Sequence, residues 1–165
     1  MERIVAVIGA GLIGRAWAMV FARAGWRVRL HDRDSAQLHA ARVFIAASLD
    51  EQAGYGLVTD PEAALARIDP VLALADALAG VEWVQENLPE TLDVKREVFA
   101  ALDRHAPTDA VLASSTSAIP ASQFTVALPG RSRCLVAHPV NPPHLVPVVE
   151  LCGAPWTSGQ YGIMP

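Results

Sequence analysis

The sequence is poor in cysteine, with two in 165 residues, and no cluster of Cys or His has the spacing of metal ligands. A disulfide between the two is open but has no support in the sequence, and nothing points to a structural metal. Cys134 and Cys152 both sit in apolar stretches and are expected to be reduced, buried core residues. A surplus of positive charge is also lacking: 13 Lys and Arg face 17 Asp and Glu, for a net charge of −4. Nucleic acid is therefore not an expected partner. No apolar run is long enough to cross a bilayer, so no membrane partner is expected. The N-terminus has one arginine and then a strand-like run, which is not the layout of a secretory signal; the expectation is a cytoplasmic protein. No serine stands in a G-x-S-x-G elbow. What the chain does have is hydrophobicity, 52% of its residues, which suits a sheet covered on both faces.

The apolar run Ile4–Ile8 ends in Gly9-Ala10-Gly11-Leu12-Ile13-Gly14 and opens into a helical pattern. Gly9 allows the tight turn out of the strand. Gly11 lets a pyrophosphate approach the backbone, and Gly14 lets the helix pack closely on the strand. Leu12 and Ile13 begin that helix, whose N-terminus offers free N–H groups and partial positive charge to phosphate. A second strand-like stretch, 26–32, ends in Asp32, placed to accept hydrogen bonds from the ribose hydroxyls of adenosine and to repel a 2′-phosphate. NAD is therefore favoured over NADP. Arg33 blurs this choice, since a cation beside the acid tolerates that phosphate.

Further along, Asp34 or Ser35 caps a helix over about 36–52, and Gly54-Tyr55-Gly56 breaks it. Asp60-Pro61 restarts a short helix. Residues 34–68 thus read as a helical hairpin inserted between the second and third strands. Strands then alternate with helices up to an extended segment at 146–152. This pattern predicts an α/β, Rossmann-type, doubly wound and mainly parallel sheet. In such sheets ligands collect beyond the carboxyl ends of the strands. Asp32, Glu86, Asn87, Ser114, Ser115, Ser117 and His138 all fall there.

The prolines of His138-Pro139-Val140-Asn141-Pro142-Pro143 stiffen the path after the histidine. Glu150 follows 12 residues after His138, on a segment able to run back beside the sixth strand. A carboxylate on one imidazole nitrogen fixes the tautomer and leaves the other nitrogen to take a proton from an alcohol. Loss of that proton while a hydride leaves the same carbon is the chemistry a nicotinamide enzyme needs. The residues alone leave a second reading equally open: a core histidine near a surface glutamate.

The glycine motif, Glu86-Asn87-Leu88-Pro89-Glu90, Ser115-Thr116-Ser117 and His138-Pro-Val-Asn-Pro-Pro together resemble the NAD-binding domain of the 3-hydroxyacyl-CoA dehydrogenase family, most of all its lambda-crystallin and L-gulonate 3-dehydrogenase branch. The resemblance covers residues 3 to about 157. It implies NAD as cofactor, with Gly9, Gly11, Leu12, Ile13, Gly14, Asp32, Arg33, Glu90, Lys95 and Ser115 in its binding. Glu90 and Lys95 match positions near the nicotinamide ribose. It implies His138 as catalytic base, Glu150 as its carboxylate partner, Ser117 bound to the substrate hydroxyl, and Asn141 holding the histidine loop.

The implied substrate is a small molecule, a 3-hydroxy acid or 3-hydroxyacyl-CoA, and the implied assembly a homodimer of the full-length form. The family also has a helical domain after this one. From residue 158 the chain no longer looks like the family, so the expectation is a truncated chain with domain 1–157 and a tail 158–165, binding NAD with little turnover. The alternative is a non-catalytic NAD-binding or structural, crystallin-like protein.

Overall fold

The computed structural model describes residues 2–161. Ile4–Ile8 forms strand β1. Val5 and Val7 are buried on one face of the sheet, Ala6 and Ile8 on the other. This follows from the two-residue period of a strand with both faces covered. Helix α1, Leu12–Arg23, and strand β2, Arg27–His31, come next. The inserted hairpin is present as α2, Ser35–Gly54, and α3, Pro61–Ala66. Asp34 caps α2 by accepting from Ala36 N at 2.8 Å, and Asp60 caps α3 by accepting from Ala63 N at 2.8 Å. Helix α2 buries Leu38, Ala41, Ile45 and Leu49, three or four residues apart.

The chain continues as β3, Ile68–Val71; α4, Leu74–Leu78; β4, Trp83–Glu86; and α5, Leu92–His105. It ends with β5, Val111–Ser114; α6, Ala121–Thr125; β6, Cys134–Pro139; and β7, Val149–Gly153. The strands form one sheet in the order β3-β2-β1-β4-β5-β6-β7. All neighbouring pairs are parallel except β6 with β7. This is the Rossmann-type doubly wound sheet that the sequence predicts. Helices α1 and α2 cover one face through Trp17, Met19, Ile45 and Leu49, and α5 and α6 cover the other through Phe99, Leu102 and Phe124. The strand order reverses between β1 and β4, which opens a crevice above their tips.

Cys134 is buried as expected, and burial pushes its thiol up to about 12. Cys152 departs from expectation. It lies exposed on β7, an edge strand whose residues Val149–Cys152 are all open to solvent. Its apolar neighbours Val149 and Leu151 are exposed as well. Among the described residues, no helix is long and apolar enough to cross a membrane. Of the tail, residues 162–165 lie outside the described residues. Gly159–Tyr161 forms a short 3-10 turn, and Ser158 N donates to Ser132 O at 2.8 Å.

Candidate active site

The glycine turn is built as the sequence demands. Gly9 leaves β1 at φ +93°, a conformation L side chains rarely adopt, and a Cβ there would lie 3.0 Å from Asn87 O. A Cβ on Gly14 would lie 1.8 Å from Gly9 O, so α1 sits on the turn with no room for a methyl group. Gly11 differs: a Cβ there would meet nothing within 4 Å. Its bareness keeps space open above the turn. No side chain caps α1, so the N–H groups of its first turn, Leu12 and Ile13 included, keep no intrahelical partner.

Asp32 stands at the end of β2. Its Oδ2 accepts from Ala10 N at 3.0 Å and its Oδ1 from Asp34 N at 3.1 Å. The carboxylate thus ties the glycine turn to the neighbouring strand. A cleft of about 600 Å³ runs from this turn past Asp32, Arg33 and Asn87 to an apolar wall that includes Leu74 and Val98. Bare glycine, open helix N–H groups, an acid at the second strand and an apolar wall fit a dinucleotide. Another cleft, of about 700 Å³, lies at the far end of α1 among Arg23, Arg67 and His144. The Arg23 guanidinium there is already bonded to Gln52, Leu57 O and His144 O.

The antiparallel register of β6 and β7 sets His138 opposite Glu150. The imidazole Nδ1 lies 2.7 Å from Glu150 Oε2. A carboxylate only accepts, so the proton of this bond is on Nδ1. Nε2 has no hydrogen-bond partner among the described residues. The histidine side chain is 25% exposed and the glutamate 71%, so the pair faces outward. The core-histidine reading does not hold.

Glu90 lies in the loop after β4, next to the loop that carries Ser117. It clamps the loop after β5, accepting from the Thr116 hydroxyl, from Ser117 N at 3.0 Å and from Ala118 N at 3.1 Å. Burial raises its pKa. The Thr116 hydroxyl, the Ala118 N–H, the charge of Lys95 and the Ser117 N–H together outweigh that and leave the carboxyl below its ordinary value. Ser117 is exposed beside this clamp, and its hydroxyl has no partner among the described residues.

Three of the expected site residues have their contacts defined within the protein. Lys95, the only lysine in the sequence, is buried. Its Nζ is buried against Glu86 Oε1 and Oε2, at 2.8 and 3.0 Å, and Leu88 O, at 2.9 Å, which occupies all three protons. The first turn of α5 packs it under the 87–90 loop. Ser115 is likewise committed: its Oγ accepts from Trp17 Nε1 at 2.9 Å and Gln85 Nε2 at 2.7 Å, and donates to Asn87 Oδ1 at 2.7 Å. No bonding capacity of that hydroxyl remains for a cofactor. The Asn141 side chain has no hydrogen-bond partner among the described residues. Backbone bonds hold the histidine loop: Val140 N to Val148 O, and Leu145 N and Val146 N to Pro142 O, each 3.0 Å.

Gln85 is the residue whose part in the site sequence reasoning missed, and Glu86, expected at the strand tips, serves there as the buried partner of Lys95. Both are fully buried at the end of β4 and point to opposite faces of the sheet. Two adjacent polar residues closing an apolar strand are the signal, since buried polar groups need partners.

A mainly parallel sheet with this crevice, glycine turn and acid at β2 defines a Rossmann dinucleotide-binding domain. A family model described as 3-hydroxyacyl-CoA dehydrogenase, NAD binding domain, matches residues 4–161, and the chain belongs to that family. NAD is the cofactor of this domain. The chain is 41% identical over 157 residues to lambda-crystallin of Oryctolagus cuniculus, spanning 93% of this chain and 49% of that protein. It is 36% identical over 156 residues to L-carnitine dehydrogenase of Streptomyces coelicolor, spanning 94% and 48%. The solved 3-hydroxybutyryl-CoA dehydrogenase of Escherichia coli K12 superposes with a TM-score of 0.92 at 31% identity, over 97% of this chain and 34% of that one. The chain spans about half the length of the curated relatives it matches.

Proposed function

We propose that this domain serves the NAD-dependent oxidation of a secondary alcohol, a 3-hydroxyacyl-CoA or related 3-hydroxy acid. The observation that carries the reading is the His138–Glu150 pair at the sheet rim, with Nδ1 bonded and Nε2 open. NAD, when bound, accepts the hydride from the alcohol carbon. The chain's own residues supply the rest. The glycine turn and the first turn of α1 hold the pyrophosphate, and Asp32 holds the adenosine ribose. Ser117 bonds the substrate hydroxyl, and His138 Nε2 takes its proton while Glu150 stabilises the imidazolium.

With Glu150 well exposed, water reaches the reacting groups. The proposal for this chain is therefore NAD binding with little turnover. A cytoplasmic location and a homodimer of the full-length form belong to the same proposal. The similarity to lambda-crystallin favours a second reading, a non-catalytic NAD-binding or structural protein.

A panel of 3-hydroxy acids and a 3-hydroxyacyl-CoA, assayed with NAD and NADP for the wild type and His138→Ala, separates the two. The base reading predicts NAD-linked turnover on at least one compound, lost by a factor of about 100 or more in the variant, with NAD affinity retained. Equal turnover by both proteins removes the base role. No turnover by the wild type on any compound supports the binding protein.

A further inference from the structure

Two indole groups fix the sense of every proton in a chain of hydrogen bonds that crosses the sheet beneath the strand tips. Trp83 Nε1 can only donate, and it lies 3.0 Å from Gln85 Oε1. The Gln85 amide nitrogen must then face the other way. It donates to Ser115 Oγ at 2.7 Å and to Ala137 O at 3.2 Å. Ser115 Oγ also receives the Trp17 indole N–H at 2.9 Å, so its own proton goes to Asn87 Oδ1 at 2.7 Å. The Asn87 amide nitrogen in turn donates to Ile8 O at 3.3 Å and Gln85 O at 2.8 Å. The chain starts one residue before His138 and ends one residue before Gly9.

Its placement matters because the backbone ladder gives out there. The β5–β6 register pairs Leu112 with Cys134, Ala113 with Leu135 and Ser114 with Val136, and stops. Ala137 is the next residue, and a Gln85 side chain with no solvent exposure reaches its carbonyl. We infer that Gln85 is a positioning residue: with Ser115 and Asn87 it forms a relay of fixed sense that sets the spacing between His138 and the turn carrying the dinucleotide. The inference rests on the proposed function for the use of that spacing, and on geometry alone for the relay. Removing one member frees the tip of β6 and loosens the Asn87 side of the cleft together, because buried networks act as units.

Two measurements on the 165-residue chain test it. The first needs neither variant nor cofactor: hydrogen exchange of the tryptophan indole N–H groups. The relay predicts slow exchange for Trp17 and Trp83 against fast exchange for Trp26, whose indole N–H has no partner among the described residues. Equal rates for all three overturn it. The second is a double-mutant cycle of Gln85→Met and Asn87→Ala, read as the NADH dissociation constant. Each single change is expected to weaken NADH about tenfold, and the pair together little more than either alone. Multiplied effects, or no effect of Gln85→Met, overturn the relay while wild-type binding leaves the proposed function standing. Failure of the wild type to bind NADH overturns both. A Gln85→Met chain that does not fold is replaced by Ser115→Ala, for which the same non-additivity with Asn87→Ala is expected.

Discussion

Replacing Gly14 with alanine is expected to cost both the fold and the cofactor. In an isolated helix the same change stabilises by about 1 kcal/mol, since alanine is the better helix former. Here the new Cβ would lie 1.8 Å from Gly9 O and 3.0 Å from Gly9 C. Backbone atoms cannot rotate away as a side chain would, so α1 has to lift off the turn. Overpacking of this kind costs about 1–3 kcal/mol, so the clash decides the sign. NAD suffers more, because the displaced turn and helix N-terminus no longer present their N–H groups together. Hydrogen bonds to a charged partner are worth about 1.5–3 kcal/mol each, so the loss of even two weakens NAD by about a hundredfold or more.

Gly11→Ala is the control. Its Cβ would meet nothing within 4 Å, so unfolding in urea should shift by less than about 1 kcal/mol while NAD affinity falls. Urea unfolding and an NADH titration of both variants check this. A Gly14→Ala chain as stable as wild type contradicts the packing described.

Breaking the buried ion pair is expected to have the second large effect. Lys95 and Glu86 side chains are 1% and 0% exposed, and Glu86 also accepts from Ser114 Oγ and Leu88 N, each at 2.6 Å. Removing one partner strands a charge without solvent, at a cost of about 3–5 kcal/mol. Against a total stability of about 5–15 kcal/mol, that is a large share. Lys95→Met should therefore lower the urea midpoint strongly, whereas Lys95→Met with Glu86→Gln should recover much of the loss because no lone charge remains. Amine labelling gives an independent check, since Lys95 is the only lysine. The folded chain should take label at its α-amino group alone, and Lys95 only in denaturant. Fast labelling of native Lys95, or a Lys95→Met chain as stable as wild type, contradicts a buried pair.

Much of the fold was legible in the sequence, because it is written in local patterns. The apolar run into three spaced glycines, the acid at the end of β2 and the caps Asp34 and Asp60 each depend on neighbours within a few residues. The His138–Glu150 pair was half legible: a short return strand allows few registers, yet the residues alone left a core histidine equally open. What stayed hidden depends on partners far along the chain. Ser115 meets Trp17 across 98 positions, and Gln85 meets Ala137 across 52. Lys95 looks like any helix lysine until the helix packs over Glu86. Cys152 sits in an apolar stretch, yet it lies on an edge strand, and hydrophobic content alone does not say which strand is last.

The central claim is that NAD lies across the strand tips with its nicotinamide end presented to His138. The most direct test is an NADH titration of the chain followed through its histidine imidazole resonances. His138 signals are expected to move with the same saturation as NADH binding, while the exposed His39 and His105 stay in place, and Gly14→Ala is expected to abolish the movement. Binding of NADH with His138 unmoved would contradict it.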